Sequence, residues 1–130
     1  MKRTDSGFTL VEIMIVVLII ALLASIAIPN LLRARITAHD ASAQAALKTI
    51  STAMETYIAV NTIYPSTATA LTGATPPYLQ VDYFTGIHNG FTFTLDSSSG
   101  QVYSVTAVPA SASLGSSSYT ISTGAVLVTN

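Results

Sequence analysis

Few residues in this chain could carry chemistry, and Glu12 stands at the most unusual place among them. Its carboxylate lies directly before residues 13–28, a run that contains no charged residue. An unpaired carboxylate is costly in apolar surroundings, so it favours an opposite charge nearby. In the first turn of a helix, a carboxylate is also stabilised by the helix dipole. Glu12 is therefore a candidate for pairing with a cation, for stabilising a helix start, or for both.

Catalytic groupings are not indicated elsewhere. His39 and Asp40 are adjacent, so they would face different sides of a helix, which argues against a proton-transfer pair. No serine is matched with a base and an orienting acid, and no phosphate loop or metal-ligand spacing occurs. The chain has no cysteine and a net charge of −1, which excludes thiolate chemistry and gives no basic face for nucleic acid. We predict neither an enzyme nor a cofactor, and no nucleic-acid partner.

The uncharged run is long enough to enter a bilayer. Residues 13–28 form sixteen helical positions, which reach roughly 24 Å, and the extended segment 8–32 reaches about 37 Å. The hydrocarbon core of a bilayer is about 30 Å thick. Burial of the aliphatic side chains gains some tens of kcal/mol, whereas one acid costs about 3 kcal/mol. Glu12 therefore does not keep the segment out of a membrane.

Two interpretations of this segment follow from its charge and hydrophobicity alone. The first is a secretory signal peptide that is removed after Ala27 and leaves a secreted, β-rich binding module. Asp5 and Glu12, at or just before the apolar core, argue against it. The second is a plain membrane anchor. Two basic residues precede the run and two, Arg33 and Arg35, follow it, so the distribution of positive charge predicts no orientation.

A third interpretation comes from the residues around Gly7. Ser6-Gly7-Phe8-Thr9-Leu10-Val11-Glu12, joined directly to the aliphatic run, resembles the class III signal sequence of type IV pilins and of type II secretion pseudopilins. The resemblance implies that a prepilin peptidase cleaves after Gly7, where glycine presents an unhindered bond. It implies that the leader 1–7 is lost and that Phe8 becomes the N-methylated terminus. In the family, the acid that matches Glu12 pairs with the terminal amine of a neighbouring subunit.

The resemblance also implies partners and a location. The precursor would wait in the cytoplasmic membrane as a single-pass protein, and a platform protein and an ATPase would assemble it into a helical homopolymer at the cell surface. A pseudopilin of a secretion or competence system, with a periplasmic filament, is the alternative. Pro29 predicts a kink or an unwound turn near the end of the run and is a candidate assembly residue. The calcium loop of the major pseudopilin is not expected, because Asp82 and Asp96 are far apart and no acid follows them.

The remaining sequence predicts one helix and a small sheet, an α+β fold. The helix should run from about residue 8 to residue 60, with a membrane-spanning half, 8–32, and an amphipathic half, 33–60. Its apolar stripe comprises Ile36, Ala43, Leu47, Ile50, Met54, Tyr57 and Ile58. The polar residues expected on the other faces are Thr37, Asp40, Gln44, Lys48, Ser51 and Glu55.

Residues 61–130 should form a globular head that covers this stripe. Residues 61–83 are rich in Thr and Pro, which is typical of a loop. Apolar and polar residues then alternate in four short runs, which predicts an antiparallel sheet of three or four strands. The predicted strands are 91–95, 102–107, 118–121 and 125–129, with turns at 96–100 and 122–124.

Overall fold

A computed structural model describes residues 7–96 and 100–130 and contains one long helix and one sheet. Its elements are α1 (Leu10–Asn61), α2 (Thr69–Thr72), β1 (Phe91–Asp96), β2 (Ser104–Pro109), β3 (Tyr119–Ser122) and β4 (Val126–Thr129). The four strands form a single antiparallel sheet in the order β1-β2-β3-β4. The predicted α+β fold is confirmed. Six residues of the predicted leader, 1–6, and the centre of the predicted turn, 97–99, lie outside the described residues.

The chain divides into two compact units, Met1–Ala34 and Arg35–Asn130. In the first unit, the described backbone is helical from Leu10 onward and has no core of its own. The helix continues through Pro29, and Ile28 before it is also helical. The unwound turn that the proline predicted is therefore absent from this described segment.

The second unit has one hydrophobic core, which the helix and the sheet form together. Alternate strand residues point inward, as the burial of Phe91, Phe93, Val105, Ala107, Tyr119 and Ile121 shows. They join Ala43, Ala46, Leu47, Ile50, Ala53 and Met54 of α1 in a single cluster. An apolar helix stripe must be covered by another layer, and the sheet supplies that layer. The predicted packing of the sheet on the stripe is confirmed.

Two polar residues of α1 lie on the buried side, where the helical pattern placed them on outer faces. Asp40 is 8% exposed and Ser51 is 2% exposed. The Asp40 carboxylate accepts hydrogen bonds from the backbone N–H of Ser116 at 3.0 Å and from its hydroxyl at 2.6 Å. The hydroxyls of Ser51 and Tyr103 are 2.7 Å apart and share a hydrogen bond. Buried polar groups are tolerated when they have such partners, so the outer placement of these two residues was wrong.

The predicted loop 61–83 contains structure that its composition concealed. It includes the short helix α2, and Leu71 within this helix is fully buried. The carbonyl of Leu71 accepts the backbone N–H groups of Tyr78 and Leu79 at 2.9 and 3.1 Å. Leu79 is buried beside it in the core. The segment that was predicted to be an irregular loop therefore contributes two buried leucines to the core of the head.

The strands begin and end within two residues of their predicted bounds. β2 shows the largest difference, because it begins at Ser104 rather than at residue 102. Tyr103 lies outside the ladder, since its N–H donates to the Thr123 hydroxyl at 2.9 Å while its ring is buried. The loop between β2 and β3 packs closely on the core at Gly115. A Cβ there would overlap the ring of Phe91, so this position accepts only glycine without a shift of the core.

Candidate processing and assembly site

The peptide bond between Gly7 and Phe8 lies in exposed, non-helical backbone. Residues 7–9 precede the first helical residue, Leu10, and Phe8 is 85% exposed. Apart from its chain neighbours, no atom of the described residues lies within 4 Å of the position that a Cβ on Gly7 would occupy. Packing within the described part of the chain therefore does not require glycine at this position. A requirement for it would come from a molecule that acts on this bond.

Glu12 and Thr9 form a reciprocal pair at the start of α1. The backbone N–H and the hydroxyl of Thr9 donate to Oε2 of Glu12 at 2.8 and 2.6 Å. The N–H of Glu12 donates in return to the Thr9 hydroxyl at 3.3 Å. This is a capping box, in which an N-cap threonine and a glutamate three residues later satisfy the free donors of a helix start.

The capping box bears on both roles expected of Glu12. The hydrogen bonds with Thr9 show how Glu12 stabilises the start of the helix. Thr9 was not among the residues predicted from the sequence, although a threonine three residues before a glutamate is a known signal of a helix start. Both donors of Thr9 use Oε2. In the described part of the chain, the second oxygen, Oε1, therefore remains available to a further donor.

The helix that follows has an almost wholly uncovered apolar surface. Every large apolar side chain from Phe8 to Leu32 is more than half exposed. By length and composition the helix could cross a membrane, and its most apolar window has no buried residue. An exposed apolar surface of this size marks a contact with lipid or with protein. The described apolar surface of the first unit therefore calls for a covering partner.

Pro29 creates a weak point within this apolar surface. Proline has no N–H, so it cannot donate to the carbonyl of Ser25 four residues earlier. The hydroxyl of Ser25 does not compensate, because it donates to the carbonyl of Leu22 at 2.7 Å. The helix is continuous here, but it lacks one of its internal hydrogen bonds.

Comparison with known proteins places these features in a family. The model of the prokaryotic N-terminal methylation motif matches residues 2–28. The type IV wide pilus major component PilA4 of Thermus thermophilus is 35% identical over 105 residues, which cover 78% of this chain and 80% of that protein. The type II secretion system core protein G of Aeromonas hydrophila is 37% identical over 70 residues, 54% of this chain.

The extent of the matches differs between relatives. The chain spans about half the length of the secretion core proteins, with 49% of the Aeromonas protein covered. The type IV major pilin protein PilA of Myxococcus xanthus is 43% identical over 53 residues, 41% of this chain. No solved structure matches the chain. The long match to the wide pilus component confirms the resemblance seen in the sequence: the chain belongs to the family of type IV pilins and type II secretion pseudopilins.

Proposed function

We propose that this chain is a prepilin, the precursor of a structural subunit that polymerises into a type IV pilus-like filament. The observation that carries the proposal is the uncovered apolar surface of residues 8–32, where every large apolar side chain is more than half exposed. Lipid covers this surface in the precursor, and helices of neighbouring copies cover it in the filament. Burial in either environment is favourable at about 25 cal/mol per Å². Assembly therefore exchanges one apolar environment for another.

Removal of the leader 1–7 is the first step of this function. The bond after Gly7 is exposed and lies outside the helix, so a prepilin peptidase can reach it without unwinding α1. Phe8 then becomes the N-terminal residue and is N-methylated, and its amine keeps a positive charge. Residues 8–32 form the filament core, residues 33–60 the amphipathic helix, and residues 61–130 the head.

Glu12 then pairs with the terminal amine of a neighbouring subunit. The geometry supports this pairing because Thr9 occupies Oε2 and leaves Oε1 available. The capping box also orients the carboxylate toward the start of the helix, where incoming amines lie. In an apolar filament core, such a pair is strongly attractive and an unpaired charge is costly. The pair would fix the axial stagger between helices, as a buried polar residue does in a coiled coil.

Pro29 has an assembly role in this proposal. The carbonyl of Ser25 lacks its helical donor, so the helix opens more easily here than elsewhere. Opening would let the apolar helix adapt to its neighbours as it leaves the bilayer. The precursor lies in the cytoplasmic membrane, and a platform protein and an ATPase drive its extraction into a filament outside the cell. The role of the chain is structural, not catalytic.

The mass of the mature chain tests the proposal. Cleavage after Gly7 retains the apolar helix, whereas a signal peptidase cut after Ala27 would remove most of it. The two products differ by 20 residues, so an intact mass or an N-terminal sequence separates them. A mature chain that starts at Phe8 with one added methyl group supports the proposal. A mature chain that starts after Ala27 refutes it.

A pseudopilin of a type II secretion system is the second candidate. The matches to core protein G from several organisms favour it. These matches cover about half of each protein, whereas the match to the wide pilus component covers 80% of that protein. The wide coverage is why we place the pilus first. Long surface fibres seen by electron microscopy would support the pilus, and a short periplasmic structure would support the pseudopilus.

A further inference from the structure

The C-terminal part of the chain has no charged side chain. No Asp, Glu, Lys, Arg or His occurs from residue 97 to residue 130. Strands β2, β3 and β4 therefore have no charged side chain, and Asp96 at the end of β1 is the sheet's one acid. Natural sheets usually protect their edges with charges or prolines, because an open edge pairs readily with another chain. β4 is an edge strand with neither.

Within residues 7–96 and 100–130, the backbone of β4 has hydrogen-bonding groups on its outer side that have no partner. The N–H of Asn130, just after the strand, donates to the carbonyl of Ser118 at 2.8 Å. In an antiparallel ladder, successive residues alternate in direction. Val128 and Val126 therefore direct their N–H and C=O groups toward β3, and Leu127 and Thr129 direct theirs away from the sheet. Two N–H and two C=O groups form the free edge.

The other edge of the sheet is less open. His88 folds back on Phe91, the first residue of β1, and each donates its N–H to the carbonyl of the other at 2.9 and 3.0 Å. The ring of Tyr83 packs on Phe93, with ring centres 5.7 Å apart. β1 also ends on the charged Asp96. These features protect β1, so the open and uncharged edge is that of β4.

We propose that β4 pairs in antiparallel fashion with β4 of a second copy, about a two-fold axis at Val128. Leu127 of each copy would then lie opposite Thr129 of the other. Each of these two pairs would exchange two hydrogen bonds, so that all four free backbone groups of each copy have a partner. The two Val128 side chains, 48% exposed in the single chain, would contact each other. No charged side chain of β4 opposes the contact. A second copy is therefore the partner that this edge fits.

If the chain forms the filament proposed above, on which this step rests, symmetry decides which copies the β4 pairing joins. Successive subunits in a helical filament are related by head-to-tail contacts, which use two different surfaces. A two-fold contact uses the same surface on both copies and closes on itself. The β4 pairing therefore joins subunits of two different filaments. It would bundle filaments laterally.

A cysteine at the axis tests the pairing directly, since the chain has no cysteine of its own. Directly opposed residues that are not hydrogen-bonded to each other have Cα atoms about 4.5 Å apart, within the range of a disulfide. Val128→Cys filaments should thus form covalent dimers on oxidation. Val108→Cys is the matched control, because Val108 is exposed on the same outer face of the sheet, on β2. Its two copies would lie about five strand spacings, or about 24 Å, apart.

Two further variants test whether the pairing causes bundling. Thr129→Pro removes an N–H that β3 does not use, and Val128→Lys places two like charges at the axis. Both should leave single filaments and abolish bundles in electron micrographs and low-speed sedimentation, while Val108→Lys leaves bundles intact. Filaments that form normally but give no Val128→Cys dimer, or that bundle equally with Thr129→Pro, would overturn the β4 pairing alone. Absence of filaments from the wild-type chain in the assembling cell would overturn the proposed function and this inference with it.

Discussion

The capping box at the start of α1 allows the two roles of Glu12 to be separated by substitution. Glu12→Gln keeps an oxygen that accepts both bonds from Thr9, because glutamine replaces glutamate in a capping box. It removes only the charge. Glu12→Val removes the charge and the cap together. Thr9→Ala removes the hydroxyl but keeps the charge and the backbone donor.

The two roles differ in size. Loss of a helix cap costs about 1 kcal/mol. Two opposite charges about 4 Å apart interact by about 4 kcal/mol at an effective dielectric constant of about 20. That loss corresponds to roughly a thousandfold weaker contact between subunits. We therefore expect Glu12→Gln and Glu12→Val to abolish or greatly reduce filaments, and Thr9→Ala to retain most of them.

The assay is the fraction of subunit recovered in sheared filaments, measured against the total in the cell. Mass spectrometry of the membrane-bound chain should show normal leader removal in all three variants. Circular dichroism in detergent should show normal helix content for Glu12→Gln. A normal filament yield from Glu12→Gln or Glu12→Val would refute the pairing. A loss confined to Thr9→Ala and Glu12→Val would assign Glu12 to the cap.

Three further predictions concern processing and the head. Gly7→Leu should block leader removal, seen as a chain that retains the mass of the leader, whereas Gly7→Ala should be processed. Asp40→Ala should lower the free energy of unfolding of the head by about 2 kcal/mol, measured by denaturation in detergent, because the N–H and the hydroxyl of Ser116 lose a charged, buried acceptor; full stability would contradict this. Burial raises the pKa of Tyr64, helped by the Glu55 carboxylate, and burial also raises the pKa of Tyr103. In the folded chain both phenols thus stay neutral at a pH where the same phenols of the unfolded chain ionise, above about pH 10. The free energy of unfolding should therefore fall as the pH rises from there, and it should fall less in Tyr64→Phe.

Much of the fold follows from local patterns along the chain. The helical repeat of apolar residues predicted α1 to within two residues at its start and one at its end. Alternation predicted three or four strands, and four are present. The start of β1 follows Asn89-Gly90, which have the positive φ angles of 50° and 86° that such a turn needs. Residues 6–12, joined directly to the aliphatic run, carried the family resemblance. The Thr9–Glu12 cap was also readable, since its partners are three residues apart.

Only the tertiary structure decided which polar residues of α1 are buried. The partners of Asp40 and Ser51 lie 76 and 52 residues further along the chain. Likewise, Leu71 is buried in the core, and the chain beyond it returns so that the N–H groups of Tyr78 and Leu79 donate to its carbonyl. A helical or alternating pattern depends on residues within a few positions of each other, so it can be read in the sequence. A buried carboxylate or a tyrosine outside its strand is stabilised by partners that only folding brings within hydrogen-bonding distance.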